Sequence, residues 1–369
     1  MPPQKNDNRM AWIRNMKRLV KSGKGSYCNE FEIASECRIA GILNYKHGKI
    51  MCSFFSVEKD EKGLYHYLLR VKYPKYSGSY NKQADKKGYY FKEGELGELL
   101  ALFSLYFQCR FYLVATYTGE MTNKGLRNKS ENEFLYKKIP NEAIHPIIFS
   151  ESGGNFSKGL AEFLDSVKKL DKKKHQGFIL ACYHYARALK EVGVDNEMIF
   201  IRLVSAIETL SKKFNLSKAD NPLNMKTFDN LFSKCSLSED ELKQIKDILK
   251  VDGTGKIQIE KSSRKFIKFI ERFSKGALRG GNWKAKHLKI TREKLPKILT
   301  AIYNARSNYL HNGERMYLSD LVRGTANWDT DPSMGMTIDN RNFSASQKLP
   351  YTYWFENVVR CCLLNYLKA

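Results

Sequence analysis

The spacing of apolar residues changes near residue 150, and that change constrains the fold more than any other feature of the chain. Before it, apolar residues come in short runs. Cys37–Tyr45 and Lys49–Val57 are two such runs, and Lys46-His47-Gly48 between them reads as a hairpin turn. Leu64–Tyr73 and Arg110–Tyr117 read as further strands, while Leu96, Leu99, Leu100, Phe103 and Phe107 fall at helical spacing over 94–108. The stretches 74–90 and 118–140 read as irregular excursions. After Ser150–Asn155, a polar, glycine-containing linker, a 3.6-residue period takes over. It predicts helices over 157–170, 175–192, 196–214, 226–234, 238–250, 260–274, 294–311 and 351–368, with 316–350 as a long loop. The expected fold class is α+β: a β-rich N-terminal domain over 1–150, then an all-α helical bundle over 155–369.

Helix ends carry their own chemistry. Asp195 or Asn196 can cap the helix that runs through Ile199, Leu203, Ile207 and Leu210. Ser236 and Ser238 each have a glutamate three residues on, Glu239 and Glu241, at capping-box spacing. Pro296 fits only a first turn, and Asn312-Gly313 suits a left-handed C-terminal cap, so the helix between them is bounded at both ends.

Charge narrows the partners. The chain of 369 residues carries 63 basic and 39 acidic side chains, a net +24, of which +10 falls in 1–150 and +14 in the rest. An excess spread this evenly predicts attraction to polyanions. No run of 18 apolar residues is present, and Met1–Lys5 opens a polar N-terminus, so neither a membrane span nor a secretory leader is expected. Eight cysteines without one C-x-x-C pair read as reduced thiols of a cytoplasmic protein; no metal site and no disulfide framework is expected. Gly23-Lys-Gly25 and Asp252–Lys256 lack the pattern of a phosphate loop.

The helix ending at Gly313 holds the sharpest chemical signal. In YNARSNYLHNG (303–313), Arg306 and His311 lie in the last two turns, about 7.5 Å apart along the axis and about 140° apart around it. An imidazole titrates near neutrality and can act as base or acid, and a guanidinium stays charged and forks onto phosphate oxygens. Ser307 can hold a phosphate or ribose oxygen, and Asn312 directly follows the histidine. The pair suits RNA cleavage that needs neither metal nor cofactor, because the 2′-hydroxyl requires a base and the phosphorus a fixed positive charge. Spacing alone recurs by chance in a chain with 18 arginines and seven histidines; the setting, an amphipathic helix closed by Asn-Gly, makes the pair informative.

In that setting the segment resembles the HEPN superfamily of all-helical RNases, whose signature is R-x(4–6)-H near the end of a long helix. YNARSNYLHNG is similar in particular to the Apea-like branch, found in bacterial anti-phage and abortive-infection proteins. FIRLVSAIETL (200–210) is similar to that branch's upstream helix, an apolar run with a glutamate near its end, here Glu208. The resemblance covers roughly 155–369 in architecture and about 25 residues in motif. It implies an endoribonuclease that leaves 2′,3′-cyclic phosphates, a homodimer that brings two Arg/His pairs to one cleft, and a defence or toxin effector under the control of a phage-derived trigger or an inhibitor. It assigns His311 as general base and Arg306 as phosphate ligand. One position departs: HEPN proteins paired with a nucleotidyltransferase antitoxin carry a tyrosine two residues after the histidine, where this chain has Gly313.

Other residues carry two readings each. Glu208 sits on the apolar side of its helix with Ile201 and Val204, as a surface acid or as the partner of Arg306. Lys172, Lys173 and Lys174, within a basic run from Lys168 to His175 between two helices, are a solvated patch or an RNA-tracking one. Trp283 is a stacking platform for a base or a buried loop anchor. Two functions from other classes stay open: a non-catalytic RNA- or DNA-binding adaptor, and a dimerisation module without affinity for nucleic acid.

Overall fold

The computed structural model describes residues 26–36, 39, 43–47, 50–74, 94–119, 128–131, 153–216, 233–248, 262–278, 289–316, 318, 337–338, 341–342 and 349–369. These form a mixed α+β protein. Six strands make one antiparallel sheet: Ser26–Ser35 (β1), Leu43–His47 (β2), Ile50–Lys59 (β3), Tyr65–Pro74 (β4), Tyr112–Gly119 (β5) and Asn128–Glu131 (β6), in the order β2-β3-β4-β1-β5-β6. The expected hairpin is β2–β3, with Leu43 opposite Phe54 and His47 opposite Ile50. The central strand β1 has no counterpart in the sequence reading. Its period-2 pattern alternates Phe31 and Ile33 with Glu30 and Glu32, and register aligns Phe31 with Leu69 and Ile33 with Tyr67. Phe31, Ile33, Tyr67, Leu69 and Val71 are buried together. The 118–140 excursion contains the end of β5 and all of β6, and 316–350 contains a two-strand ladder of Thr337–Ile338 (β7) and Arg341–Asn342 (β8).

The face of the sheet opposite that core carries a small second cluster, Ala34, Leu64 and Tyr112 with Val114, and beside it a polar group. His66 on β4 stands between two carboxylates, its Nδ1 3.0 Å from Glu32 on β1 and its Nε2 3.0 Å from Asp60 in the β3–β4 turn. The Tyr117 hydroxyl of β5 donates to the other Glu32 oxygen at 3.0 Å. Burial works against a charged His66, but hydrogen bonds and attraction from Asp60 and Glu32 outweigh it and raise the imidazole above its ordinary value. A raised histidine contributes stability that is complete below its unfolded value and is lost as pH rises through the folded one. The stability lost in His66→Gln, measured by urea unfolding, is therefore expected to shrink between about pH 6 and 8. An equal loss at both ends of that range would refute the pairing.

Eight helices complete the described structure: Gly94–Phe107 (α1), Gly153–Lys169 (α2), Lys172–Glu191 (α3), Asn196–Ser211 (α4), Glu239–Ile248 (α5), Ser262–Phe273 (α6), Leu295–Asn312 (α7) and Thr352–Tyr366 (α8). Two boundaries move. Gly153–Asn155 belong to the first turn of α2 instead of a linker; N–H groups there need no intrahelical partner, so glycine is tolerated. Lys172–Lys174 belong to the first turn of α3, where Asp171 accepts from the N–H groups of Lys173 and Lys174 at 3.0 and 2.9 Å. Of the helix expected over 226–234, residues 226–232 lie outside the described residues and 233–234 form a turn. Asp195 caps α4 through the Met198 N–H at 2.9 Å, and Ser238 with Glu241 closes a capping box on α5.

α3 and α4 are joined by a four-residue turn and run antiparallel, the Lys213 ammonium reaching the Lys173 carbonyl at 3.2 Å. α7 runs antiparallel to α4 on another side: Arg306 meets Glu208, and past the helix end the Met316 N–H donates to Glu197 at 2.6 Å. α8 is buried through Trp354, Phe355, Val358, Val359, Cys362 and Leu363, with Phe355 stacked on Phe200 of α4. One continuous hydrophobic cluster takes in the inner face of the sheet, α1 and the helices that follow. α1 lies at its centre: Leu96, Leu99, Leu102, Phe103, Leu105 and Phe107 are all buried, and the rings of Phe103 and Phe107 meet Phe111 edge-on.

Two buried polar links cross the same seam. Arg110, before β5, pairs with Glu36 and also reaches the Val192 carbonyl at the end of α3, at 3.4 Å. Glu356 of α8 accepts from the Tyr185 hydroxyl of α3 and from Gln108, just past α1, whose amide lies 2.7 Å away. Arg360, one turn on, donates to the carbonyls of Leu105 and Tyr106 at 2.9 and 2.7 Å. No helix among the described residues is long and apolar enough to cross a membrane.

Candidate functional site

Leu295, Leu299 and Ile302 form the buried stripe of α7. Arg306, four residues past Ile302, continues it, so helical geometry turns the guanidinium toward the bundle. On α4 the corresponding stripe runs through Ile201 and Val204 to Glu208. The two charges meet where these stripes face each other: Arg306 Nη2 donates to Glu208 at 2.9 Å, with 20% and 14% of the side chains exposed. Part-burial weakens solvent screening, so the pair holds the guanidinium more firmly than a surface pair does. Tyr303, one turn before Arg306, closes the cluster against Phe266 of α6. Its phenol is raised first by burial and then by the charge and hydrogen bond of Glu208, against Arg306 and a hydrogen bond with Ser262. Arg306 Nε is buried without a hydrogen-bond partner among the described residues.

His311 lies beyond this cluster, exposed in the last turn of α7, where a cation also suits the helix dipole. The turn is fixed by Gly313 at φ 68°, a left-handed cap; its N–H donates to the Tyr309 carbonyl at 3.2 Å, and that of Glu314 to Asn308 at 3.4 Å. Ser307 is half-buried, Asn312 is exposed, and the neighbouring Leu310 is 48% exposed, one of two large apolar side chains so displayed among the described residues. Arg306 and His311 therefore stay on one helix end but are not joined by a hydrogen bond: Glu208 draws the arginine inward and the histidine faces solvent.

The remaining expected residues fall in different places. Lys173 and Lys174 are exposed at the start of α3; the side chain of Lys172 and all of Trp283 lie outside the described residues. His184 packs against Tyr183, and burial, aided by Arg202, lowers its imidazole to about 4, so it is a neutral packing residue at physiological pH. An open groove of about 390 Å³ between Ser263, Arg264, Ile267, Lys268, Glu271 and Pro296 lies toward the opposite end of α7 and holds none of the expected site residues. Among the described residues no three His, Cys, Asp or Glu side chains are grouped so as to hold a metal ion. Tyr303 and Ser262 are the site residues that sequence reasoning missed. Tyr303 lies three residues before Arg306 on α7, and that i, i+3 relation was the available signal.

Comparison of the chain with protein-family models, with curated proteins and with solved structures returns no match.

Proposed function

We propose that the chain is a metal-independent endoribonuclease of the HEPN kind, whose helical part, roughly 155–369, carries the site and whose β-rich part, 1–150, senses a trigger or restrains the nuclease. The observation that carries this reading is the end of α7: a guanidinium fixed by a part-buried carboxylate, and one and a half turns on an exposed imidazole, on a helix closed by a left-handed glycine. On this reading a second copy, with Leu310 beside His311 at the contact, brings two Arg/His pairs to one cleft. In the dimer cleft one imidazole removes the 2′-hydroxyl proton and the 2′-oxygen attacks phosphorus. The bond to the 5′-oxygen breaks, and that oxygen takes a proton from the other imidazole. The arginines offset the charge that builds on the phosphoryl oxygens. The products are a 2′,3′-cyclic phosphate and a 5′-hydroxyl. Such an activity fits a cytoplasmic defence or toxin effector held inactive until triggered.

The test is incubation of the full chain with RNA in EDTA, followed by end-group analysis. Cleavage with cyclic phosphate ends is expected; a strict requirement for Mg²⁺, or 3′-hydroxyl ends, would point to another chemistry. One observation favours a second reading, a non-catalytic nucleic-acid binder: Arg306 is already neutralised by Glu208. That reading predicts salt-sensitive binding with no cleavage.

A further inference from the structure

Lysines and arginines from three distant segments meet at one pole of the helical part. The antiparallel α3–α4 pair sets Lys173 and Lys174 beside Lys212 and Lys213, where the Lys213 ammonium touches the Lys173 carbonyl at 3.2 Å. Phe214, just past the turn that ends α4, carries the guanidinium of Arg272 over its ring at 5.6 Å and packs edge-on against Phe273, which brings in the end of α6 and Lys275. Tyr366 of α8 ties these ends together, stacking on Phe178 of α3 and meeting Phe273 at 5.6 Å. Lys173, Lys174, Lys212, Lys213, Arg272 and Lys275 are all exposed. Asp171 stands among them: its carboxylate accepts from backbone N–H groups and lies 3.9 Å from the Lys174 ammonium, and the backbone bonding leads the causes that lower it, with attraction from Lys174 and Lys213 behind.

Helix dipoles account for half of this arrangement. Lys212, Lys213 and Arg272 lie at helix C-termini, where positive charge is favourable. Lys173 and Lys174 lie in the first turn of α3, where it is unfavourable, and they face the lysines of α4 as well. Asp171, 3.9 Å from the Lys174 ammonium, offsets one of these charges; the like charges that remain, placed against a dipole and against one another, suit an anionic partner. The partner's class follows from the rest of the surface. Among the described residues neither large exposed apolar side chain, Val194 or Leu310, belongs to the pole, so its described surface is charged without an apolar wedge, which suits a backbone of phosphates better than a bilayer. The pole also abuts the candidate site, because Lys212 stands one turn past Glu208 on the same face of α4, its N–H on the Glu208 carbonyl at 3.1 Å.

We infer that this pole is a backbone-binding anchor for single-stranded RNA, which leads the strand from Lys173 and Lys213 past Lys212 to Arg306. The inference takes its polymer from the proposed function but does not require cleavage, so binding is measured separately from activity. The experiment titrates fluorescently labelled single-stranded RNA of about 20 nucleotides, a length that spans a site of this class, with the full-length His311→Ala chain over a range of salt. Against it stands the same chain with Lys173, Lys174, Lys212 and Lys213 all changed to Gln, and a control with Lys243, Arg292, Lys294 and Lys297 changed to Gln. Affinity in the pole variant is expected to fall at least about tenfold, and the slope of log K against log salt to fall by about three, as for four released phosphate contacts on a single strand. The Lys173→Gln/Lys174→Gln double variant should show about half that slope change, which preserves the test if the fourfold variant unfolds. An unchanged slope in the pole variants, an equal loss in the control, or loss of binding to phosphatidylserine vesicles with RNA binding intact would each overturn the inference. A chain that binds in this way but does not cut would refute the nuclease reading and leave the anchor standing.

Discussion

His311→Ala is expected to lower RNA cleavage by about 10²–10⁴-fold, the range for loss of a positioned acid or base. The melting temperature should not change, because His311 is exposed and makes no hydrogen bond or ion pair among the described residues. Arg306→Ala should abolish cleavage to a similar degree and also lower stability by about 1–3 kcal/mol, because it leaves Glu208 part-buried without its cation. The contrast between the two variants is the useful readout: equal effects on rate, unequal effects on melting. Glu208→Gln separates holding from chemistry. It keeps a hydrogen-bond acceptor for Arg306 but removes the countercharge, so kcat should fall while folding survives. Single-turnover rates on a short RNA, with thermal melts of each variant, measure all three. Wild-type cleavage by either His311→Ala or Arg306→Ala would remove the site assignment.

Glu356→Ala is expected to have the largest effect on stability. The carboxylate is buried and holds together α8, α3 and the segment after α1. Burial raises its titration point, opposed by the Tyr185 hydroxyl, Arg360 and Gln108. Alanine would strand the Tyr185 hydroxyl and the Gln108 amide without an acceptor in the interior, at a cost of about 3 kcal/mol or more. For a chain of this size that is a fall of at least about 5 °C in melting temperature. Glu356→Gln offers Gln108 an amide instead of a carboxylate oxygen and should fall between alanine and wild type. Calorimetry or circular dichroism reads the series; an alanine variant that melts with the wild type would mean the network is not structural.

How far these features could be read in advance depends on the range over which their causes act. Helix periods are local, so all eight described helices, and the caps at Asp195, Ser238 and Gly313, were legible in the sequence; α2 begins at Gly153 instead of 157, and α3 at Lys172 instead of 175 because Asp171 was not recognised as its cap. The Arg306–Glu208 pair was half legible: Glu208 stood on an apolar helix face, which demands a partner, but 98 residues separate the two. β1 was missed because Glu30 and Glu32 interrupt its apolar pattern, although the alternation itself is a strand signal. The carboxylates around His66 come from 6 and 34 residues away, and only strand register brings them together. The basic pole was legible as one lysine run; its other half came from α4 and α6, which nothing in the local sequence connects to it.

The shared burial of α1 bears on how any control over the α7 end must operate. A helix whose apolar side chains serve both the sheet and the bundle cannot swing away on a tether, since release would wet rings and leucines on both partners at once. A stimulus received at the strands would instead travel as a small displacement of packed layers, carried by α1 and α8 toward the helices that set Glu208. On that view the polypeptide behaves as a stiff lever, and its two halves cannot be exchanged between proteins as independent cassettes.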